Sequence, residues 1–381
     1  MGFLKKVFFI FLLISFIPAC RLSLIRLDVK YDKTPYSLFG GTNERNFFLD
    51  QEISLEVKEK WTGSINGSFN NSSVTVFDSY IFVNDLSGRI AVFEINTGKR
   101  SGELKEEDAV FTAPVIKDFW VIFASIVKGK NLSHLLFYDY NAGQVKHLTE
   151  IKGRVTNQLL LDKDGAILIT EDGDLMKYDF AGNSVWITKT NSTVHSNPAM
   201  SRGIIVFGTD EGEIIGADKD SGKILYREKI GSPVMGGVTI SGIKCYFGND
   251  EGILYCTSLQ NGAVDWKYDT KARIIMNPAA GEGNVIVGNL AGDLFKLDAE
   301  DGALIWKTET KGSLNASPLV TRNIILVPDL FERLHFVDRE NGEILKSITV
   351  EGRMKLSPVI QKNLLFVGFD RGKMRAYEFV D

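Results

Sequence analysis

Two cysteines on neighbouring segments are the residues whose type and spacing most directly suggest chemistry. Cys245 and Cys256 lie on either side of a turn formed by residues 249–252. An antiparallel pairing centred on that turn places the two cysteines opposite each other, which makes a cross-strand disulfide geometrically feasible. An oxidising, exported compartment would permit this bond. Two reduced thiols packed in the interior are the alternative.

The other nucleophilic and metal-binding residue types lack the spacing that catalysis requires. The chain has four histidines, His134, His147, His195 and His335. None is paired with another at the short spacing that brings two imidazoles to one metal ion. Ser232 and Ser317 lie in turns rich in glycine or proline, without the strand–turn–helix context of an activated serine. The sequence therefore predicts no catalytic residue and no metal site.

The N-terminal residues resemble a bacterial lipoprotein signal. Two lysines precede an apolar run over residues 7–17, which is too short to span a bilayer but suits a signal peptide. Ala19 then precedes Cys20, so the pattern predicts cleavage after residue 19 and a lipid on Cys20. Several acyl chains on one residue would anchor the protein stably. An ordinary secretory signal is the alternative.

The composition is that of a folded chain with balanced charge. Its 381 residues include 44 lysines and arginines against 48 aspartates and glutamates, for a net charge of -4. Charges of both signs are interspersed, which disfavours a nucleic-acid binder, because such a protein would carry a positive face. Apolar residues make up 44% of the chain, enough for a sizeable core.

A repeat of about 40 residues organises the rest of the chain. Residues 171–186, 209–226 and 289–306 each contain a turn glycine, an alternating strand, an aspartate, a second turn glycine and an aromatic residue. The first position holds Gly88, Ser133, Gly173, Gly212, Gly252, Gly292, Glu332 and Gly372 in the eight units. Each unit has four segments of alternating hydrophobicity, and a four-stranded sheet of this length is typical of a β-propeller blade.

The two ends of the repeat array predict that it closes into a ring. The eighth unit stops after its third strand, and residues 55–61 supply the missing strand. Trp61 precedes Ser73 by 12 residues, the same separation as Trp266 from Pro278. We therefore predict an all-β fold, an eight-bladed β-propeller of four-stranded antiparallel blades closed by an N-terminal strand. The predicted parts are a signal peptide over residues 1–19, a tether and lead-in segment over residues 20–51, and the propeller over residues 52–381.

The pattern of aspartate, glycine and tryptophan resembles the repeat of pyrroloquinoline-quinone-type eight-bladed propellers. Asp298, Gly302 and Trp306 carry it in one unit, and residues 179–186 repeat it. With the lipoprotein-like signal and the short chain, the sequence resembles the BamB-type lipoproteins of the outer-membrane β-barrel assembly machinery. The resemblance implies that the repeat aromatics pack between neighbouring blades. These aromatics are Trp61, Trp186, Tyr226, Trp266 and Trp306.

One face of the predicted disc carries the segments that precede the inner strands, and we expect it to bind a protein. Exposed methionine, isoleucine and arginine among short acidic turns suit a docking surface. The candidate contact residues are Arg273, Ile275, Met276, Leu314, Arg353 and Met354. The BamB resemblance implies docking through an arginine with an aliphatic residue, which Arg273 and Ile275 match. It also implies acidic residues on the next loop, where this chain has Ser313 and Asn315. Packing of several candidates between blades is the alternative.

These observations favour a non-enzymatic, lipid-anchored scaffold that binds proteins and no cofactor. The BamB resemblance implies a role in outer-membrane β-barrel assembly, with a barrel-assembly subunit as partner, and a location at the outer membrane facing the periplasm. A quinone-dependent dehydrogenase is one alternative, but the chain lacks the vicinal cysteine pair and large insertions that the resemblance associates with such enzymes. A surface or sensory propeller that binds peptide or carbohydrate is another.

Overall fold

Strands alone make up the regular structure of the described chain. The computed structural model describes residues 24–29, 38–106 and 108–380. In these ranges 32 strands form eight four-stranded antiparallel sheets, and the innermost strands of successive sheets meet around a central channel. The predicted all-β, eight-bladed propeller is therefore confirmed. No helix within the described ranges is long and apolar enough to cross a membrane.

In the first seven blades the strands run in chain order from the channel to the rim. The strands of blades 1 to 4, four to a blade, are β2 (Thr75–Phe77), β3 (Tyr80–Asn84), β4 (Arg89–Glu94), β5 (Arg100–Lys105), β6 (Val115–Lys117), β7 (Trp120–Ile126), β8 (Leu132–Asp139), β9 (Gln144–Lys152), β10 (Leu160–Asp162), β11 (Gly165–Ile169), β12 (Asp174–Asp179), β13 (Ser184–Lys189), β14 (Ala199–Ser201), β15 (Ile204–Gly208), β16 (Glu213–Asp218) and β17 (Ile224–Lys229).

Blades 5 to 8 continue the series, and blade 8 takes its rim strand from the N-terminal side. Their strands are β18 (Thr239–Ser241), β19 (Lys244–Gly248), β20 (Ile253–Ser258), β21 (Val264–Asp269), β22 (Ala279–Gly281), β23 (Asn284–Gly288), β24 (Asp293–Asp298), β25 (Leu304–Glu309), β26 (Leu319–Val320), β27 (Ile324–Pro328), β28 (Arg333–Asp338), β29 (Ile344–Thr349), β30 (Val359–Gln361), β31 (Leu364–Phe369), β32 (Lys373–Phe379) and β1 (Val57–Ser64).

The N-terminal strand closes the ring. β1 pairs antiparallel with β32, from Val57 opposite Phe379 to Ser64 opposite Lys373. This pairing covers the outer edge of β32, which would otherwise present unpaired N–H and C=O groups. The predicted closing strand is thus confirmed.

The burial of a strand follows its distance from the channel. β15 in blade 4 and β31 in blade 8 are buried at every residue, because both faces of a blade pack against its neighbours. The rim strand β29 alternates between partly buried and exposed residues, since one side of it faces solvent. Removal of the apolar inner strands from water is the main source of stability.

An aromatic residue on the rim strand of one blade packs against a turn glycine of the next. The pairs are Trp61 with Gly98, Trp186 with Gly222, Tyr226 with Gly262, Trp266 with Gly302, and Trp306 with Gly342. A β-carbon on any of these glycines would come within 2.5 to 2.7 Å of the ring beside it. Each of the four indoles also donates a hydrogen bond from Nε1 to a backbone carbonyl of the next blade, at 3.0 to 3.2 Å. These side chains therefore join neighbouring blades.

The segment ahead of β1 closes one end of the channel. Residues 43–51 run around this end, and their carbonyls accept hydrogen bonds from blades 4 to 7. The ring of Phe39 packs edge-on against Phe47, with centroids 5.0 Å apart. Arg45 is fully buried and donates to the carbonyls of Phe39 and Leu159, each at 2.6 Å. Desolvation lowers the pKa of Arg45 below the usual arginine range. The segment is thus a plug built into the propeller.

The predicted opposition of Cys245 and Cys256 is wrong by one residue. In the register of β19 and β20, Cys245 pairs with Thr257 and Cys256 pairs with Tyr246. Because neighbouring residues of a strand point to opposite faces, the two cysteine side chains lie on opposite sides of the sheet. Both thiols are free and buried, and burial raises the pKa of each. The register excludes the cross-strand disulfide and leaves two packed thiols.

Candidate protein-docking face

The side of the disc opposite the plug carries the segments that lead into the inner strands and the turns between the second and third strands. We call this side the funnel face. One residue of each leading segment occupies the same repeat position beside the channel. These residues are Asn70, Phe111, Thr156, His195, Met235, Ile275, Asn315 and Lys355. The first six border a cavity of about 370 Å³ at the channel mouth. The mouth is therefore a shallow funnel lined by amide, apolar and ionisable side chains.

Three of the candidate contact residues are buried rather than exposed. Met276 is 3% exposed, and Leu314 and Met354 are 0% exposed. A β-carbon on Gly288 of blade 6 would meet Leu314 Cδ1 at 2.7 Å and Met276 Cε at 3.3 Å. The expectation that these three side chains form an exposed surface is wrong, because this side of each leading segment packs into the propeller.

Arg273 and Arg353 are exposed on the funnel face, and each forms an ion pair. Arg273 Nη2 donates to both carboxylate oxygens of Asp250 at 2.9 Å, and Arg353 Nε donates to Asp370 at 2.7 Å. Partial burial would raise the pKa of Asp370, but the hydrogen bond from Arg353 and nearby positive charges outweigh it, and the net pKa is lowered. The two arginine side chains are 51% and 59% exposed, so these pairs contribute little to folding.

The two arginines reach acids in different blades. Arg353 pairs within blade 8, whereas Arg273 leads into blade 6 and pairs with Asp250 of blade 5. The backbone carbonyl of each arginine accepts a hydrogen bond from one turn residue, Asp370 for Arg353 and Leu290 for Arg273. Since Leu290 offers no carboxylate, Arg273 turns to the preceding blade. It therefore lies across the joint between blades 5 and 6, next to the half-buried Ile275.

Two further polar pairs on the funnel face escape prediction from the sequence. Arg154 Nε lies 3.4 Å from Glu171, and His195 Nδ1 lies 2.7 Å from Asp210. Arg154 occupies the repeat position of Arg273 and Arg353, so alignment of the units contains a signal for it. His195 has no equivalent at its own repeat position, but its partner Asp210 lies two residues before a turn glycine, as Asp250 and Asp370 do. The alignment therefore gives a signal for the acid and none for the histidine.

Pyrroloquinoline quinone, the flat tricarboxylate suggested by the sequence resemblance, does not fit the residues at the channel mouth. Such a group needs planar surfaces on its two sides and positive charges for its carboxylates. Among the described residues that line the mouth cavity, Phe111 supplies the one phenyl ring and Arg154 the one guanidinium, which faces Glu171. The described ranges also contain no group of three His, Cys, Asp or Glu side chains placed to hold a metal ion.

Comparison with known families settles the classification of the chain. Residues 171–277 and 250–381, together more than half of its length, match the family described as outer membrane protein assembly factor BamB. The chain belongs to this family. The resemblance to BamB-type propellers predicted from the repeat is therefore confirmed. No curated protein matches the sequence.

Solved structures similar to this BamB-family chain include a BamB and several enzymes. BamB from Moraxella catarrhalis superposes with a TM-score of 0.73 at 16% identity, over 85% of this chain and 100% of its own. A europium-containing methanol dehydrogenase has a TM-score of 0.76 at 9% identity, over 91% and 98%. Quinohemoprotein alcohol dehydrogenase from Comamonas testosteroni has a TM-score of 0.75 at 11% identity, over 91% and 81%. Such identities establish a shared fold, and an activity does not follow from a fold.

Proposed function

We propose that this BamB-family chain is a non-enzymatic, lipid-anchored scaffold that binds a protein partner during outer-membrane protein assembly. Its membership of a family described as an outer membrane protein assembly factor is the observation that carries the proposal. In this proposal Cys20 carries the lipid, and the chain stands at the outer membrane facing the periplasm. Residues 1–23, which include Cys20, lie outside the described residues.

The funnel face is the proposed docking surface, and three of the original candidates remain for it. Arg273 and Ile275 lie together at the joint between blades 5 and 6, and Arg353 lies on blade 8. An exposed arginine beside a half-buried aliphatic side chain suits an interface anchor. The blades hold these loops rigidly, so docking costs little ordering entropy. A membrane anchor adds to this by raising the local concentration of the partner.

Crosslinking in intact membranes, followed by identification of the captured proteins, tests the proposal. We expect a subunit of the barrel-assembly machinery to be captured. Ile275→Asp should reduce its recovery at least fivefold, because it places a charge at the centre of the funnel-face contact. Ile243→Asp is the matched control, since Ile243 is an exposed isoleucine (56%) on the turn after β18, on the plug side of the disc. Capture of no barrel-assembly component would contradict the proposed function.

A quinone-dependent dehydrogenase is the competing function, because two of the similar structures are dehydrogenases. The lining of the channel mouth does not favour it. Incubation with pyrroloquinoline quinone and calcium, followed by a dye-reduction assay with alcohols, distinguishes the two functions. The scaffold proposal expects neither stable uptake of the quinone nor dye reduction.

A further inference from the structure

Residues 24–29 lie in the groove between blades 1 and 2. Ile25 is 0% exposed and Leu27 is 7% exposed, and both belong to a core cluster shared by these two blades. The hydroxyl of Tyr138 in blade 2 donates to the carbonyl of Ile25 at 2.8 Å. This part of the predicted tether is therefore docked on the propeller, only a few residues after Cys20.

The docked segment replaces an aromatic residue that this joint lacks. On β5 the residue at the aromatic repeat position is Gly102, which pairs with Val92 as Trp266 pairs with Cys256 in blade 5. A β-carbon on Gly102 would lie 2.8 Å from the Cα atom of Ile25. Ile25 thus occupies the space that the indole fills at other joints.

The next residue completes the replacement. At other joints the turn glycine of the following blade contacts the aromatic ring. Here the corresponding glycine is Gly143 of blade 2, and a β-carbon on it would lie 2.5 Å from Arg26 Nε and 3.0 Å from Arg26 Cγ. The pair Ile25–Arg26 therefore joins blades 1 and 2 as one tryptophan joins other neighbouring blades.

The docked position limits how far the anchor can lie from this rim. Leu24 follows Cys20 by four positions, and an extended chain spans at most about 3.6 Å per position, so Cys20 lies within about 14 Å of Leu24. Gly102 belongs to the rim strand of blade 1, so the anchor leaves the disc at its edge. If the lipid holds Cys20 at the bilayer, the edge formed by blades 1 and 2 must lie next to the membrane.

The turns on the plug side of the disc differ in charge around the ring. The turn before β25 in blade 6 carries Glu300, which is 87% exposed, and the turn before β29 in blade 7 carries Glu340, which is 80% exposed. The corresponding turn of blade 2 has the uncharged residues Asn141 and Ala142. Glu300 pairs with Lys244 at 2.9 Å and Glu340 lies 3.7 Å from Lys296. The turn of blade 2 can therefore approach an anionic bilayer without bringing a carboxylate to it, whereas the turns of blades 6 and 7 cannot.

We infer that the anchored propeller stands on its rim, with the edge of blades 1 and 2 at the lipid surface and the funnel face opening sideways, free for a partner. The inference rests on the lipid anchor of the proposed function and adds to it the orientation of the disc. The partner at this edge is the bilayer itself. The docked segment keeps the edge close to the bilayer, as a long flexible tether would not.

Fluorescence quenching by spin-labelled lipid tests this orientation. The full chain is isolated from membranes and reconstituted into phosphatidylethanolamine–phosphatidylglycerol vesicles that contain nitroxide-labelled lipid. A fluorescent non-natural amino acid replaces either Asn141 in blade 2 or Glu300 in blade 6, two exposed residues at matching turn positions on opposite sides of the ring. We expect at least threefold stronger quenching at Asn141. Equal quenching, or stronger quenching at Glu300, would overturn the inference.

Two variants show whether docking of the segment causes the orientation. Gly102→Trp restores the repeat aromatic and should expel Ile25 while keeping the blades joined. Ile25→Asp should also expel the segment, because a docked segment would bury the new charge. Circular dichroism identifies whichever variant remains folded. That variant should lose the difference in quenching between the two sites. If the difference persists without docking, the inference is wrong.

The proposed lipid anchor and the proposed orientation can be disproved separately. The mass of the N-terminal peptide shows whether Cys20 is acylated. If it carries no lipid, the anchor in the proposed function is wrong. A maleimide lipid coupled to the Cys20 thiol then supplies the anchor, because Cys245 and Cys256 are buried, and the same quenching comparison decides the orientation.

Discussion

The indole of Trp266 lies so close to Gly302 of the next blade that a β-carbon on this glycine would sit 2.6 Å from the ring atom Cδ2. The same indole donates a hydrogen bond to the carbonyl of Ala299 at 3.2 Å. The packing of a ring on a turn glycine recurs at four other joints, and Ile25 with Arg26 takes this role between blades 1 and 2. Neighbouring blades are therefore joined where a large side chain of one blade packs against a glycine of the next.

Gly302→Ala should destabilise the propeller by about 2 to 4 kcal/mol, since it combines left-handed backbone strain with overpacking against Trp266. Gly283→Ala is the control, because Gly283 has nearly the same φ (75° against 74°) but no described atom lies within 4 Å of its β-carbon position. Its cost should be about 1 kcal/mol. Urea unfolding measures both. Equal losses would show that the contact with the ring adds nothing.

Tyr226→Phe should leave stability unchanged or raise it by about 1 kcal/mol. The hydroxyl of Tyr226 is buried and has no hydrogen-bond partner among the described residues, so its removal ends a desolvation cost. Tyr138→Phe should instead cost about 1 kcal/mol, because the hydroxyl of Tyr138 donates to the carbonyl of Ile25. Thermal unfolding of both variants checks the prediction. A clear loss of stability in Tyr226→Phe would contradict it.

The propeller should lose stability as the pH falls from about 4 to about 2, because Asp162 becomes protonated in this range. Burial would raise the pKa of Asp162, but hydrogen bonds from Lys177 at 2.6 Å and Lys219 at 3.1 Å outweigh it and lower the pKa to about 2. Because this value lies below the unfolded value of about 3.9, the carboxylate stabilises the fold above pH 4, by about 2 kcal/mol, and loses this effect as it is protonated.

Asp162→Asn should therefore flatten the pH dependence of unfolding between pH 4 and pH 2. Asp164→Asn is the matched control, because Asp164 also pairs with Lys177, at 2.7 Å, but its side chain is 58% exposed. It removes a carboxylate from the same lysine without removing the buried one. Equilibrium unfolding at several pH values measures both, and an unchanged slope in Asp162→Asn would count against the assignment.

Arg273→Ala should reduce recovery of the partner at least threefold while changing the free energy of unfolding by less than about 0.5 kcal/mol, since its ion pair is exposed. Lys271→Ala is the control on the same loop. Lys271 is 81% exposed and pairs with Asp269, the last residue of the rim strand β21. Quantitative pull-down from solubilised membranes compares the two variants. Equal recovery of the partner would remove Arg273 from the docking surface.

Cys245 and Cys256 should both titrate as free thiols in denaturant without reductant and stay unreactive in the folded protein. Burial raises the pKa of Cys256 to about 12, so little thiolate is present at neutral pH. Thiol titration of folded and unfolded protein checks this. An acylated Cys20 adds no thiol to the count. Absence of reactive thiol in the unfolded, unreduced protein would mean that the register of β19 and β20 is wrong.

The sequence predicted much of the architecture because the repeat is regular. Turn glycines such as Gly252 and Gly292 mark the turns, and an N-terminal segment ending in a tryptophan indicated ring closure. These features depend on local backbone preference and period-2 burial, which a single chain segment displays. The docking residues were harder to predict from the sequence. Arg273 and Leu314 lie on the same kind of loop, and only packing shows which of the two is exposed.

By itself the sequence determined the number of blades, the closing strand and the positions of the interblade aromatics, because these follow from spacing along the chain. Only the tertiary structure decided the one-residue register that separates Cys245 from Cys256, and the burial of Met276, Leu314 and Met354. It also placed Ile25 against Gly102, some 77 positions along the chain. Such contacts depend on three-dimensional packing between segments that no local pattern relates, and a glycine in place of an aromatic does not show what fills the space.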